Sequence, residues 1–76
     1  AKELENKERM RAIQEAINML PPEQKAVVTL RDIEGFSYEE IVEITGSALG
    51  TVKSRLARAR LDLRKRLRSV MQDELR

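Results

Sequence analysis

The sequence contains no cysteine and no histidine, and its only aromatic residues are Phe36 and Tyr38. Without cysteine there is no disulfide and no thiolate metal site, and without histidine the commonest general base and zinc ligand is also lacking. Apolar runs are only a few residues long, far short of the roughly 20 residues that a membrane-spanning helix needs. Carboxylates are scattered along polar faces with no nucleophile beside them, so we predict neither an enzyme nor a metal- or cofactor-binding protein.

A length of 76 residues is enough for one small domain. A domain of this size buries only about 60% of the surface that its unfolded chain exposes, which leaves a narrow margin of stability. The chain begins with Ala1 rather than Met and has no signal-peptide pattern. We therefore expect residues 1–76 to be a single domain taken from a longer protein.

Charge is divided unevenly along the chain. Residues 1–49 carry 6 basic and 10 acidic side chains, whereas residues 50–76 carry 9 basic and 3 acidic ones. A net charge of −4 is thus followed by one of +6. This division favours a polyanionic partner for the C-terminal part, with an ordinary solvated helix face as the alternative.

Turn residues divide the chain into four helical segments. Pro21-Pro22 ends the first segment and opens the second, because the residue before a proline leaves helical geometry and a proline fits the first helical position. Gly35 ends the second segment and Gly46 the third. The last helix is predicted from about Ala48 or Leu49 to about Asp73.

The third segment carries a start signal. Ser37 and Glu40 have the spacing of a capping box, and Phe36 and Ile41 have the spacing of a hydrophobic staple. Apolar residues recur at helical spacing in all four segments. The predicted core consists of Ile13, Ile17, Leu20, Val27, Leu30, Ile33, Phe36, Ile41, Ile44, Val52, Leu56 and Leu63, and Met10 extends the stripe of the first helix.

The last helix has two different faces. With Val52 at zero and 100° per residue, the apolar residues fall within about 60° of it. These are Leu56, Ala59, Leu63, Leu67 and Val70. The opposite side carries Ser54, Ala57, Arg58, Leu61, Arg64, Lys65 and Arg68, with Lys53, Arg55 and Arg60 on the flanks. One face is therefore predicted to pack and the other to bind.

A two-turn helix, a glycine-containing turn and a helix rich in cations make a helix-turn-helix. In this motif the second helix enters the major groove of DNA, and its N-terminal residues meet the base edges. Helix N-termini also bind phosphates, and Ser37, Tyr38 and Thr51 lie near two of them. The predicted fold is all-α, a four-helix domain containing a helix-turn-helix with a long basic C-terminal recognition helix.

The segment "LPPEQKAVVTLRDIEGFSYEEIVEITGSALGTVKSRLARARLDLRKRL", residues 20–67, resembles region 4 of bacterial sigma factors of the sigma-70 family. The resemblance is greatest to the extracytoplasmic-function (ECF) group. Its most specific parts are the Leu-Pro-Pro-Glu start, residues 36–41 and residues 50–60. Residues 1–19 extend the segment as the first helix.

The resemblance implies recognition of the −35 element of promoters, docking on the flap of the RNA polymerase β subunit, and transcription initiation. It also implies a cytoplasmic, nucleoid-associated location, and it makes an anti-sigma factor a further candidate partner. Region 2, which acts on the −10 element in complete sigma factors, does not appear in this sequence. Carried over by position, the family's base contacts fall on Lys53, Ser54, Ala57 and Arg58. The predicted contacts to the DNA backbone are Ser37, Tyr38, Thr51, Arg55 and Arg60.

Two other classes stay open at this point. The output domain of a LuxR-type response regulator shares the helix-turn-helix and a Thr-Val-Lys opening of the recognition helix. Residues 54–60 and the long basic C-terminal helix favour a sigma factor over that class. A helical adaptor whose basic face binds an acidic protein is the alternative that involves no DNA, and a steep salt dependence of duplex binding would separate it from the other two.

Overall fold

In a computed structural model, the backbone is described for residues 2–74 and the side chains for residues 5–68. Four α-helices follow one another without a strand in this part of the chain. They are α1 (Lys2–Asn18), α2 (Pro22–Val28), α3 (Tyr38–Thr45) and α4 (Leu49–Glu74), and α2 continues into a π-helical turn (Thr29–Ile33). The predicted all-α fold is confirmed. None of the described helices is long and apolar enough to span a bilayer.

The double proline separates α1 from α2 as predicted. α1 ends at Asn18, and the backbone N–H of Met19 still donates to the carbonyl oxygens of Glu15 and Ala16 at 3.2 Å. Pro21 has extended backbone angles (φ −53°, ψ 148°), and Pro22 is the first residue of α2. A short, stiff connection therefore joins the two helices.

The π turn at the end of α2 was not predicted. Its backbone N–H groups donate across a wider turn than in an α-helix, as from Glu34 to the carbonyl of Thr29 at 3.0 Å. Gly35 follows with φ 79°, a left-handed conformation that glycine adopts without strain. The N–H of Phe36 then donates to the carbonyl of Leu30 at 3.0 Å and closes the turn.

α3 begins and ends as its sequence predicts. The N–H of Glu40 donates to the hydroxyl of Ser37 at 3.1 Å, and the N–H of Ser37 donates to the carboxylate of Glu40 at 3.0 Å. This reciprocal pair is the capping box. Gly46 ends the helix with φ 70°, and its N–H donates to the carbonyl of Val42 at 2.9 Å.

The apolar stripe of α4 is the centre of the core, and α1, α2 and α3 all pack on it. Val52, Leu56 and Ala59 on this stripe are almost entirely buried. The buried residues contributed by the other helices and the α1–α2 connection are Ala16, Ile17, Leu20, Val27, Val28 and Ile41. Ile13, Leu30, Phe36, Tyr38, Val42 and Leu63 are partly buried around them.

Two residues predicted for the core are exposed: Ile33 by 53% and Ile44 by 54%. Ile33 lies in the π turn, where more residues complete each rotation, so it falls behind the position that α-helical spacing predicts. Ile44 lies beyond the edge of the packed face of α3, which is centred between Ile41 and Val42.

Met10 is exposed as well, because among the α1 side chains described from residue 5 onward the buried ones, Ala16 and Ile17, lie in the last turn. The predicted core omitted Ala16 and Val28, which are buried. Val70 lies outside the side chains that the structure describes.

Leu56→Ala should lower the free energy of unfolding by roughly 2–5 kcal/mol, because it leaves a cavity where α4 meets the other helices. The matched control is Leu61→Ala on the same helix, where the side chain is 49% exposed and a change within about 0.5 kcal/mol is expected. Thermal and urea denaturation followed by circular dichroism would measure both. An unchanged melting temperature for Leu56→Ala would contradict the packing.

Ser37→Ala should cost roughly 0.5–2 kcal/mol, because it removes the oxygen that accepts the N–H of Glu40. The control is Ser54→Ala, since the Ser54 hydroxyl only donates to the carbonyl of Thr51 at 3.1 Å within α4. Alanine has the higher helix propensity, so this control should be neutral or slightly stabilising. Urea denaturation of both variants would decide, and equal stabilities would disprove the cap.

The capping box also predicts a pH dependence. The hydrogen bond from the backbone N–H of Ser37, followed by that from its side chain, lowers the pKa of the Glu40 carboxyl. Since the folded-state pKa is depressed, the stabilisation is present above the unfolded-state pKa and is lost as the pH falls through the folded-state pKa. Wild type should be more stable than Glu40→Gln at neutral pH, and this difference should shrink in acid.

Melting temperatures of wild type and Glu40→Gln, taken from neutral pH down to below the folded-state pKa of Glu40, would measure the effect. Glu39→Gln is the control, because it removes the same charge from the same helical turn without touching the box. A pH dependence of equal size in both variants would show that the box is not its source.

Candidate nucleic-acid interface

The first turns of α4 present an exposed surface opposite the buried stripe. Lys53, Ser54, Ala57 and Arg58, the predicted base contacts, are all exposed. Gly50, Ser54 and Ala57 carry little or no side chain, so the helix backbone is accessible along this side. The arrangement suits a helix that must approach another surface closely with two long cations beside small residues.

The N-termini of α3 and α4 differ in what they can offer an anion. The first turn of α3 holds Glu39 and Glu40, and the capping box satisfies two of its four unpaired N–H groups. The first turn of α4 contains no acidic residue, and it follows Ala48, which has no side-chain acceptor. The N-terminus of α4, with Thr51 in its first turn, is therefore the more favourable of the two for an anion.

The ring of Tyr38 lies close to two cations. The guanidinium carbon of Arg31 is 4.6 Å from the ring centroid, and the Nζ of Lys53 is 5.7 Å from it. Arg31 also donates to the carbonyl oxygen of Phe36 at 2.9 Å. Tyr38 thus connects the π turn, the start of α3 and the first turns of α4 through cation–π contacts.

Arg31 was not among the predicted site residues. The sequence does contain a signal for Arg31, because a cation near the C-terminal end of a helix, here marked by Gly35, lies close to the start of the next helix. The distance from Arg31 to Tyr38 depends on the π turn, which the sequence pattern did not reveal.

Arg55 lies on the flank of α4 that faces α2. One of its nitrogens donates to the hydroxyl of Ser47 at 3.0 Å, and another is 3.5 Å from a carboxylate oxygen of Glu23. The side chain of Glu23 is 72% exposed, so this single contact is a weak surface ion pair of at most about 1 kcal/mol. Arg55 is held near the helix-turn-helix and keeps donors for another acceptor.

Arg58 lies one turn further along α4, further from the buried stripe than Arg55 but still beside α2. It borders a small cleft together with Gln24 of α2 and with Leu61 and Asp62 of α4. Its guanidinium takes part in no hydrogen bond or ion pair with the side chains described between residues 5 and 68. Arg58 is therefore a cation available to an external acceptor.

Arg60 is engaged within the chain, although the sequence predicted a DNA contact for it. Its Nε and one terminal nitrogen donate to the two carboxylate oxygens of Asp32 in the π turn, at 3.0 and 2.6 Å. The hydrogen bond with Asp32 raises the pKa of the Arg60 guanidinium still further above its ordinary high range. Asp32 had no role in the sequence analysis, because 28 residues separate it from Arg60.

Among the residues that the structure describes, no group of three or more His, Cys, Asp or Glu side chains could hold a metal ion. The exposed surface of α4 offers cations, hydroxyls and helix N–H groups. Together with α3 and the intervening turn, it defines a helix-turn-helix domain with a basic recognition helix.

Comparison with known proteins identifies the family. A model described as "Sigma-70, region 4" matches residues 10–63. The chain therefore belongs to the sigma-70 region 4 family, which confirms the resemblance seen in the sequence and decides against the LuxR-type alternative.

Its relatives include ECF sigma factors. The ECF RNA polymerase sigma factor SigE of Mycolicibacterium smegmatis is 56% identical over 68% of this chain and 20% of the relative. The ECF RNA polymerase sigma-E factor of Haemophilus influenzae is 39% identical over 91% of this chain and 36% of the relative. The chain thus spans between about a fifth and about a third of the length of these relatives.

A solved structure shares the fold. It is a co-crystal structure of the sigma factor RpoE in complex with the anti-sigma factor NepR from Bartonella quintana. The match has a TM-score of 0.72 and 42% identity, and it covers 75% of this chain and 36% of the other.

Proposed function

We propose that this chain is the promoter-recognition domain of a longer ECF sigma factor, that it is not an enzyme, and that it binds the −35 element as part of transcription initiation. The observation that carries the proposal is the pair of faces on α4. The stripe of Val52, Leu56 and Ala59 is buried, while Lys53 and Arg58 are exposed in the same turns. The major groove is about 12 Å wide and admits such a helix.

Lys53, Ser54, Ala57 and Arg58 are the residues proposed to meet base edges. Arginine and lysine pair best with O6 and N7 of guanine, and each good contact provides roughly 1–3 kcal/mol of discrimination. The small side chains of Ser54 and Ala57 let the helix backbone approach the bases. A −35 element containing guanine is the natural target of this surface.

The contacts to the DNA backbone are assigned to Thr51, Arg55, Ser37 and Tyr38. Thr51 lies in the uncapped first turn of α4, whose N–H groups favour a phosphate. Arg55 gives up at most a weak, exposed contact with Glu23 and a hydrogen bond to the Ser47 hydroxyl when it meets a phosphate. Ser37 and Tyr38 lie at the start of α3, where the N–H groups of Tyr38 and Glu39 remain outside the capping box.

Protein partners are proposed from the family. RNA polymerase, through the flap of its β subunit, is the expected partner in initiation. A shallow and mainly apolar groove lined by Pro22, Lys25, Ala26, Thr29, Leu30 and Glu34 is the candidate docking surface. An anti-sigma factor is a further candidate partner, because the RpoE structure contains one.

The main experiment is selection of duplexes from a randomised pool, followed by titration of the selected duplex at several salt concentrations. A region 4 domain should enrich one short guanine-containing sequence and lose affinity steeply with salt. An adaptor for acidic proteins should enrich no sequence. Absence of sequence enrichment would refute the proposed function.

Arg58→Ala and Arg55→Ala should weaken DNA binding in different ways. Arg58→Ala should flatten preference at one or two base pairs, because a base contact is lost. Arg55→Ala should weaken all sequences alike and lower the salt slope by about one unit, because a phosphate contact is lost. Titration of each variant against the selected duplex and its point-substituted versions would distinguish them.

Arg9→Ala is the control for loss of one positive charge, since Arg9 is exposed on the first half of α1. It should leave both preference and salt slope close to wild type. If Arg58→Ala weakens every duplex by the same factor, Arg58 contacts a phosphate and its assignment as a base reader is wrong.

A further inference from the structure

The ion pair between Asp32 and Arg60 joins the π turn to the recognition helix. Both carboxylate oxygens accept hydrogen bonds, at 2.6 and 3.0 Å, and the side chains of Arg60 and Asp32 are 44% and 37% exposed. Parallel N–H···O bonds of this kind fix the guanidinium in both position and plane. The positive charge of Arg60 is therefore already paired with a carboxylate of the same chain.

Without Asp32, Arg60 would be well placed to reach DNA. It follows Lys53 by seven residues and lies on the same flank of α4, about 10 Å further along the helix axis. The N-terminal residues of a recognition helix, such as Lys53, meet the base edges, whereas a flank residue two turns later faces the phosphates beside the groove. A long, unpaired arginine at this position would therefore extend toward a phosphate strand.

Asp32 opposes that contact in two ways. A phosphate would have to compete with two hydrogen bonds, one of them short, for the same nitrogens. If it succeeded, the carboxylate of Asp32 would be left unpaired beside a second anion, and like charges placed together are costly. The contacts of Arg55 are weaker, because one nitrogen donates to the Ser47 hydroxyl and the ionic contact is 3.5 Å long and reaches a carboxylate that is 72% exposed.

We propose that Asp32 is a positioning residue that withholds Arg60 from the DNA backbone and thereby lowers the affinity of the domain for DNA of any sequence. The proposal rests on the proposed function, since it concerns how α4 meets a duplex. In this arrangement Arg60 links α4 to the π turn through Asp32. This role replaces the DNA-backbone contact that the sequence predicted for Arg60.

The test compares Asp32→Asn, Arg60→Gln and the double variant with wild type on two duplexes, the selected one and one of unrelated sequence. Asp32→Asn should bind both duplexes more tightly by the same factor and raise the salt slope by about one unit, because phosphate contacts carry no base information. Between roughly 50 and 200 mM salt, one extra phosphate contact corresponds to about a threefold to fourfold larger loss of affinity.

Arg60→Gln in the wild-type background should leave the salt slope unchanged, whereas the same change made on Asp32→Asn should bring the raised slope back to the wild-type value. This dependence of one substitution on the other is the signature of a withheld arginine. A purely structural ion pair would alter the melting temperature without changing the salt slope.

Glu23→Gln is the matched control, because it removes one negative charge beside an arginine that is already assigned to the backbone. It should leave the slope as in wild type. Equal increases for Glu23→Gln and Asp32→Asn would show a general charge effect and overturn the proposal. So would a slope lowered by about one unit in Arg60→Gln alone, or an unchanged slope in Asp32→Asn.

These failures differ from failure of the proposed function. If wild type binds neither duplex in a salt-dependent way, the DNA-binding function itself is refuted. If wild type binds and the slopes follow one of the contrary patterns, only the role of Asp32 is refuted. Circular dichroism of each variant would establish that the measured differences come from folded protein.

Discussion

Burial of one side of α4 is the constraint on which the rest of the structure depends. The other helices are too short, or buried over too few turns, to form a core among themselves, and each packs against the stripe that contains Val52, Leu56 and Ala59. Since this stripe fixes the rotation of α4 about its own axis, it also decides which residues face outward. Lys53 and Arg58 are exposed because they lie on sides of the helix that the core does not use.

Local signals were sufficient to predict most of the architecture. The double proline, Gly35, Gly46 and the Ser37–Glu40 pair each act within a few residues, so their effects can be deduced without a tertiary structure. The prediction that Ile33 is buried was wrong because the helix widens into a π turn, which no residue pattern in the sequence indicates. Ile44 was misplaced because a short helix buries only a narrow face, whose direction depends on the neighbour against which it packs.

In the candidate site, too, local features could be predicted from the sequence and tertiary contacts could not. Exposure of Lys53, Ser54, Ala57 and Arg58 follows from helical periodicity alone, and all of them are exposed in the structure. The partners of Arg60 and of Tyr38 do not follow from periodicity, because Asp32 and Arg31 reach them only through the path of the chain between α2 and α3. A count of basic residues on α4 therefore overstates the number of cations that an external anion can use.

Separation of the two faces of α4 has a consequence for how such domains diverge. A substitution at an exposed position such as Ser54 or Ala57 removes no core contact, and surface changes of this kind usually alter stability by no more than about 0.5 kcal/mol. Ala59, between Arg58 and Arg60, has no such freedom, because it is fully buried and a larger side chain would push the helix away from its neighbours. Single substitutions at the exposed positions of α4 can therefore change the side chains that a binding partner meets while the protein stays folded. The orientation of the helix stays the same, because the buried stripe that fixes it is unchanged.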